Sequence, residues 1–375
     1  VKVLIEYKGI TMKTLTINTN SLLNAVAVAN NFMSKDGDFA GKIVLVGTDG
    51  KLEVKASNNE QTIIFKDIDF VSSDLTDNNF FAFSIDGKKM LTVLKAAKTD
   101  EIHIELHSEQ IIVKSARSKV KIETLANTQD IEIAKGNGHT FDISSQVSSM
   151  EQVLHAVDTN NPRFEINGVL LQAKNGIFNI VGTDTKRLAS ITSETSLSDI
   201  DVIVPKKGIE TIVKLFKGFN ISAEIDNVSL SVHTESVSYS TKLINGKYPQ
   251  WQRIVPQSIT QSVSISKHSF ELLIREASIF NPEIIIDISD NKIRLTDFDG
   301  ATEVEDDFTS SNENIKFGVN AKSLIDFLAS YDEENVQICF NESNMPVMLV
   351  ANPEYKEIIM PIIMPEIEED VQNAA

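Results

Sequence analysis

The sequence predicts an α+β protein made of three successive copies of one plan, each with two helices packed on antiparallel strands. Three observations predict it. Helix-period and strand-period segments recur in the same order three times, the hairpins turn at matching dipeptides, and breaker-rich stretches fall between the copies.

Each copy opens with an amphipathic helix, over 21–33, 146–157 and 268–280. A strand hairpin follows and turns at Asp49-Gly50, Asn175-Gly176 or Asp290-Asn291, dipeptides that supply the positive φ a tight hairpin needs. Alternating strands come next, over 51–55, 177–181 and 292–296. A second helix spans 87–98, 206–217 and 320–331. Each copy then closes in further strands: 101–106 with 110–115, 227–234 with 236–243, and 336–340 with 346–351. Breakers at Gly136-Asn137-Gly138 and Pro256-Gln257-Ser258 place the domains at 12–138, 139–257 and 258–364. An N-terminal extension over 1–11 and an acidic tail over 365–375 flank them. The identical tetrapeptides Val46-Gly47-Thr48-Asp49 and Val181-Gly182-Thr183-Asp184 do not define the repeat, because aligning them puts hairpins and second helices out of step. Three sequential copies suggest a rod or an arc, and an arc closes most simply through a twofold dimer.

A hydrophobic share of 42% lets the chain bury a substantial core. No run approaches the roughly 18 apolar residues of a membrane span, and 1–11 lacks the apolar core of a secretory signal. The single cysteine, Cys339, sits in Val336-Gln337-Ile338-Cys339-Phe340, reads as a buried strand residue and fits a reducing cytoplasm.

A net charge of −18 argues against nucleic acid only if charge acts as a total. Salt screens exposed charges beyond about 8 Å, so distribution decides. Lys88, Lys89, Lys95 and Lys98 fall in the first copy's second helix with no acid between them, and Met90, Val93, Leu94 and Ala97 share its apolar face. Lys206, Lys207, Lys214 and Lys217 repeat this in the second copy, with Ile209, Ile212, Val213 and Phe216 as the apolar face and Glu210 the only acid. The third copy carries only Lys322 against Asp326. Such faces are either the solvated sides of surface helices or a polyanion-facing surface. Lysines without an aromatic platform or a helix–turn–helix point to backbone contact rather than base reading.

Catalytic and metal motifs are missing. His103 and His107 stand on a strand and its turn, without the glutamate of the zinc-protease helix. Gly136-Asn137-Gly138 has no phosphate-loop lysine, and Asp36/Asp38 and Asp297/Asp299 lack a calcium loop. No serine or cysteine occupies a nucleophile elbow, and Asp184 reads as a turn cap between two strands. These features predict a binding or scaffold protein without catalytic residue, metal or cofactor.

Four motifs then resemble one family. Gly182-Thr183-Asp184-Thr185-Lys186-Arg187-Leu188-Ala189 is similar to the second-domain signature of the bacterial β clamps, the β subunits of DNA polymerase III. Val204-Pro205-Lys206-Lys207-Gly208 resembles the start of that domain's second helix. Asn245-Gly246-Lys247-Tyr248-Pro249-Gln250-Trp251-Gln252-Arg253-Ile254-Val255-Pro256 is similar to the linker into the third domain, and Met360-Pro361-Ile362 to the family's ending. The likeness covers about Met12 to Met364, in order, on the three-copy plan.

The resemblance implies three clamp domains forming half of a closed ring, with helices lining the hole and sheets outside. It implies a homodimer that encircles duplex DNA without sequence specificity, performs no catalysis and tethers the replicative polymerase for processive synthesis. The implied setting is the bacterial cytoplasm, at the nucleoid. DNA polymerase III's catalytic subunit, the clamp loader and repair proteins are implied to dock between domains two and three through short motifs with glutamine and apolar residues. The cleft positions carried over are Ile166, Thr183, Thr185, Lys186, Arg187, Leu188, Pro249, Arg253, Ile254, Asn320, Pro346, Ile358, Met360, Pro361 and Ile362. The lysines facing DNA are the eight on the two basic helices, and the dimer contact falls at Ile279 and Phe280. Three features depart from the family: Thr185-Lys186 replaces the Gly-His of many relatives, 1–11 precedes Met12, and 365–375 adds Glu366, Glu368, Glu369 and Asp370. Two rivals are a DNA-metabolism enzyme with an undetected site, which would turn over alone, and a repeat scaffold that does not bind DNA.

Overall fold

The computed structural model describes residues 13–36, 40–48, 50–73, 80–125, 131–133, 140–307 and 314–364. The extension over 1–11, Met12, Asp38, Asp49, the Gly136-Asn137-Gly138 boundary and the tail over 365–375 lie outside the described residues.

Among the described residues one element order occurs three times: strand, helix, four strands, helix, three strands. The first copy runs β1 (Lys13–Asn18), α1 (Thr19–Ala29), β2 (Lys42–Thr48), β3 (Lys51–Ser57), β4 (Gln61–Ser73), β5 (Phe81–Asp86), α2 (Gly87–Ala96), β6 (Glu101–Leu106), β7 (Gln110–Ser115) and β8 (Ser118–Glu123). The second runs β9 (Phe141–Asp142), α3 (Gln146–Val153), β10 (Gly168–Lys174), β11 (Ile177–Thr183), β12 (Arg187–Glu194), β13 (Ile200–Pro205), α4 (Lys206–Phe216), β14 (Ser222–Ile225), β15 (Ser229–His233) and β16 (Val237–Lys242). The third runs β17 (Gln261–Ser266), α5 (Lys267–Ala277), β18 (Glu283–Ser289), β19 (Lys292–Asp297), β20 (Glu303–Asp307), β21 (Ile315–Asn320), α6 (Ala321–Leu328), β22 (Asn335–Phe340), β23 (Val347–Val350) and β24 (Tyr355–Ile359).

Local chemistry starts the helices. Asn18 Oδ1 accepts from Ser21 N at 3.0 Å, Asp86 Oδ1 from Lys89 N at 2.9 Å, and Asn320 Oδ1 from Lys322 N at 3.0 Å, so each caps amides that a helix start leaves unpaired. All six helices stop one to four residues before their periodicity predicts, and Lys217 lies just past the end of α4. Ala97 turns extended after α2, which leaves Lys98 beyond the helix, and α5 ends at Ala277, which puts Ile279 and Phe280 in the following turn. Among the described residues no helix is long and apolar enough to cross a membrane.

The chain folds as two compact units, Val1–Ser144 with Phe216–Leu243 and Ser145–Leu215 with Ile244–Ala375. In the first, β4-β3-β2-β5 and β1-β6-β7-β8 are the antiparallel ladders of the first copy, and β9-β14-β15-β16 belongs to the second. Strand β16 adds to β4, with Tyr239 opposite Ile63. Phe32, just after α1, packs edge-on against Tyr239 at 5.9 Å. In the second unit, β12-β11-β10-β13 is extended by β24-β23-β22-β17, with Leu188 opposite Ile358. The four-stranded ladder β20-β19-β18-β21 stands apart from it. One rule thus acts twice: the last strand of a copy pairs with the third hairpin strand of the copy before it. Two strands stay outside it, β20 and β8, each the open edge of its sheet among the described residues.

The paired tetrapeptides occupy different strands, as the hairpin register requires. Gly47 lies in β2, where a Cβ would overlap the Phe81 ring at 2.0 Å. Gly182 lies in β11, where a Cβ would sit 2.7 Å from Val157 Cγ2 and 2.8 Å from the Val153 carbonyl oxygen. The end of α3 approaches β11 this closely only because residue 182 has no side chain. Gly182→Ala is expected to lower the unfolding free energy by about 1–3 kcal/mol through forced displacement of that helix end, read by urea denaturation.

Candidate functional site

The second unit holds a groove of about 560 Å³, open to solvent, lined by Asp184, Lys186, Arg187, Glu283, Asn320, Lys322, Ser323, Ile359, Met360, Pro361 and Ile362. Three backbone segments build most of it, joined by Glu283 at the start of β18 and Ile359 at the end of β24. The β11–β12 turn supplies residues 184–187, the stretch after β24 supplies 360–362, and the β21–α6 junction supplies Asn320 to Ser323. Met360 N donates to Lys186 O at 2.9 Å and Ile362 N to Gly318 O at 2.8 Å, so the last stretch is pinned to both of the other segments.

The turn is organised by Asp184, as a turn cap should be. Its Oδ1 accepts from Lys186 N and Arg187 N, both at 2.9 Å, and its Oδ2 accepts from Arg187 Nε at 3.1 Å. Thr185 sits at φ +77, a left-handed conformation that β-branched residues rarely adopt. Its N–H donates to Thr183 Oγ1 at 3.2 Å, and Thr183 Oγ1 donates to Arg187 O at 2.6 Å, so the surrounding bonds hold the strained residue.

Arg187 is the hub beneath the groove and is 9% exposed. Besides Asp184, its guanidinium donates to Asp326 Oδ2 at 3.0 Å and to the His155 carbonyl at 2.7 Å. Asp326 also receives Lys322 Nζ on both oxygens at 2.8 Å. Burial opposes ionisation of Asp326, but hydrogen bonds from Lys322 and Arg187 outweigh it and hold its carboxyl below the usual carboxylate range. Deeper still, His155 Nε2 lies 2.6 Å from Glu357 Oε2, and Glu357 is fully buried. Burial pushes the Glu357 carboxyl up, against the lowering effect of His155 and Arg187.

Lys186, Arg187, Asn320, Met360, Pro361 and Ile362, all expected from the sequence, meet in this groove. Ile166, Thr183, Leu188 and Ile358 lie behind the surface, each 6% exposed or less. Leu188 and Ile358 share a core cluster with Leu170, Val181, Ile203, Tyr248 and Trp251, so they support the wall and offer a ligand no surface here. Pro249 and Pro346 are half-buried, while Thr185, Arg253 and Ile254 are exposed, Ile254 just past the short 3-10 turn Trp251–Arg253. Sequence reasoning missed Glu283, Ser323 and Ile359 as lining residues and Asp326 as the partner of Arg187. Asp326 lies 139 residues away in sequence, and no local pattern joins the two.

The basic helices divide similarly. Lys88, Lys89, Lys95, Lys98, Lys207, Lys214 and Lys217 are exposed. Lys206 is half-buried, and its Nζ donates to the Val157 carbonyl at 2.7 Å, so its ammonium closes the end of the preceding helix. Ile279 and Phe280 are 65% and 74% exposed, a bare apolar pair. Elsewhere, His103 bonds Thr16 Oγ1, and Asp297 accepts the Ala301 amide at 2.7 Å in a tight turn. Cys339 is buried and unbridged.

The pattern of the DNA polymerase III beta subunit central domain matches residues 143–250, and that of its C-terminal domain matches 252–365. A beta sliding clamp of Helicobacter pylori is 26% identical over 93% of this chain and all of its own length. One from Haemophilus influenzae is 23% identical, covering 90% of this chain and 92% of that relative. Among solved structures, a Helicobacter pylori beta clamp bound to a DNA ligase peptide is 25% identical with a TM-score of 0.85, covering 93% of this chain and 100% of that one. The Pseudomonas aeruginosa sliding clamp, at 19% identity and a TM-score of 0.85, shares the fold over 94% of this chain and 100% of its own.

Proposed function

This chain belongs to the DNA polymerase III beta subunit family, and from that premise we propose that it works as a non-catalytic ring around duplex DNA. Two copies close the ring head to tail, and client proteins dock in the groove at Lys186, Arg187 and Met360. The observation that carries this is the strand rule with its two leftovers. At two places within the chain, the last strand of a copy completes the ladder of the copy before it, β16 on β4 and β24 on β12. Among the described residues β20 has no such partner and β8 no such host, so each fits the other on a second chain.

Three further features support that closure. Within the chain, the apolar residue after the first helix is covered: Phe32 is 5% exposed and Val157 4%. The matching Ile279 and Phe280 after α5 are uncovered. Charge also fits, since β20 presents Asp306 and Asp307 beside Glu303 and Glu305, which pair with Arg294 and Lys292, whereas β8 presents Lys119 and Lys121 after Arg117 and ends in Glu123.

DNA meets this ring through the exposed lysines on and just after α2 and α4, as a polyanion with no base readout. The domains of the ring follow the repeat at 12–138, 139–257 and 258–364, and its place is on the nucleoid. Clients reach the groove with extended peptides of glutamine and apolar residues. The Helicobacter pylori beta clamp is bound to a DNA ligase peptide, and a groove that sets Met360, Pro361 and Ile362 among polar side chains suits a peptide here.

The test is sedimentation followed by a topology assay. The mass is expected at twice 41.5 kDa, and clamp assembled with a clamp loader is expected to stay on nicked circular DNA and slide off when that DNA is cut. A monomer that binds both forms alike overturns the proposal. Charge reversal of Lys95, Lys98, Lys214 and Lys217 is expected to cut retention at least about tenfold at physiological salt without changing the unfolding midpoint. Retention equal to that of the parent at every salt concentration contradicts the assignment of these lysines to DNA.

A further inference from the structure

We propose that His155 and Glu357 form a proton-operated clasp between the second and third copies, tight while the pair holds two protons and loosened once it holds one. His155 Nε2 lies 2.6 Å from Glu357 Oε2, a separation that requires a proton between them. Glu357 is fully buried, and among the described residues neither its Oε1 nor His155 Nδ1 has a hydrogen-bond partner. With two protons the pair is neutral as a whole, either imidazolium with carboxylate or imidazole with carboxylic acid. Release of one proton to solvent leaves imidazole on carboxylate, a net negative charge that burial disfavours.

The position of the pair gives its proton count a mechanical meaning. Glu357 stands opposite Ala189 of β12 and Leu349 of β23, where the third copy's last strand completes the second copy's ladder. His155 lies in the short 3-10 turn Leu154–Ala156 that follows α3. Two residues back on β24, Tyr355 Oη donates to the Gln152 carbonyl at 3.0 Å, so two side chains tie this strand to the end of α3. Burial holds the Tyr355 phenol protonated far above neutral pH, so the proton count changes only at the other tie. The charges around the pair are few. Arg187 comes from β12, held by Asp184 and Asp326, with Lys322 behind Asp326. Lys206 is tied to the Val157 carbonyl, Glu151 of α3 is exposed, and β11 and β23 bring no ionisable side chain. Burial raises the Glu357 carboxyl against the lowering pull of His155 and Arg187. Its contribution to stability is therefore complete below the unperturbed 4.5 and is lost as pH rises through the raised folded value, the opposite direction to Asp326.

Amide hydrogen exchange of the full chain tests the clasp, because the same strand rule builds a second joint that serves as reference. In the first unit that joint centres on the rings of Phe32, Phe216 and Tyr239. Protection over 355–359, corrected for intrinsic exchange rates, is expected to fall about three- to tenfold relative to 237–242 between about pH 5 and pH 8. Release of one proton permits a slope of at most about tenfold per pH unit. Glu357→Gln keeps a neutral side chain at every pH and is expected to remove the relative fall. His155→Gln retains a donor for Oε2 but takes away the imidazole that lowers the Glu357 carboxyl, so the fall is expected to move to higher pH. Relative protection that stays level with pH in the parent overturns the proposal. So does a fall that persists in Glu357→Gln, or one whose midpoint is unmoved in His155→Gln.

Discussion

Replacing Arg187 with methionine is expected to lower the unfolding free energy by about 2–4 kcal/mol, the lower part of the range for breaking a buried ion pair. The discount reflects Asp184 and Asp326, whose side chains keep 26% and 19% exposure and so recover part of their hydration. Methionine fills much of the arginine stem's volume but leaves the His155 carbonyl unpaired and Asp326 with Lys322 alone. The effect depends on pH in a fixed direction. Asp326 is held below its unperturbed 3.8, so its contribution is present above that value and is lost as pH falls through the lowered folded value. The gap between parent and variant is therefore full at neutral pH and narrows in acid. Urea denaturation across pH 3 to 7, on the order of one pH unit per step, measures it. A gap that does not change with pH removes Asp326 from the account.

The second large effect is expected at the bare apolar pair. With the pair at the proposed junction, replacing Ile279 and Phe280 together with glutamate is expected to forfeit about 3–6 kcal/mol of apolar burial on assembly. The dissociation constant of the dimer should then rise about 100- to 10,000-fold. Neither residue is packed within its own chain, at 65% and 74% exposure, so the monomer's unfolding curve should hardly move. Sedimentation velocity over a dilution series separates the two quantities. A double variant that sediments as the parent dimer places the contact elsewhere.

The local plan was legible in the sequence because it rests on local chemistry. Hairpin turns at Asn175-Gly176 and Asp290-Asn291 need positive φ, and Asn175, Gly176, Asp290 and Asn291 all adopt it. Asp184 caps its turn through atoms two and three residues away. The joining of copies was not legible. The strand Val237–Lys242 is rich in serine and threonine, and nothing in it names Gln61–Ser73 as its partner. Within the candidate site the same limit applies. Leu188 and Ile358 have the apolar character of a groove wall, but only their place in the ladder shows them to be core. Glu357 was missed because a carboxylate suggests solvent, although its parity with Tyr355 and Ile359 placed it on an inward face.

The two open edges, β20 and β8, have a kinetic consequence. A strand edge is a site for growth, and a subunit with unlike edges at its two ends could in principle add neighbours without limit. Closure of two copies through β20 and β8, as proposed, would use both of these edges on each chain and leave neither for a third. When one junction of a closed pair is parted, as passage of a DNA duplex requires, the freed edges remain tethered through the intact junction. Their effective concentration is then in the millimolar range expected of a short tether, well above the concentration of free subunits in solution. Acids on β20 and lysines on β8 repel like edges and attract unlike ones, which biases that encounter further towards the correct pair. A parted ring should therefore reclose on whatever it has admitted faster than it recruits another subunit, and the length of time it stays open is set by the agent holding it apart.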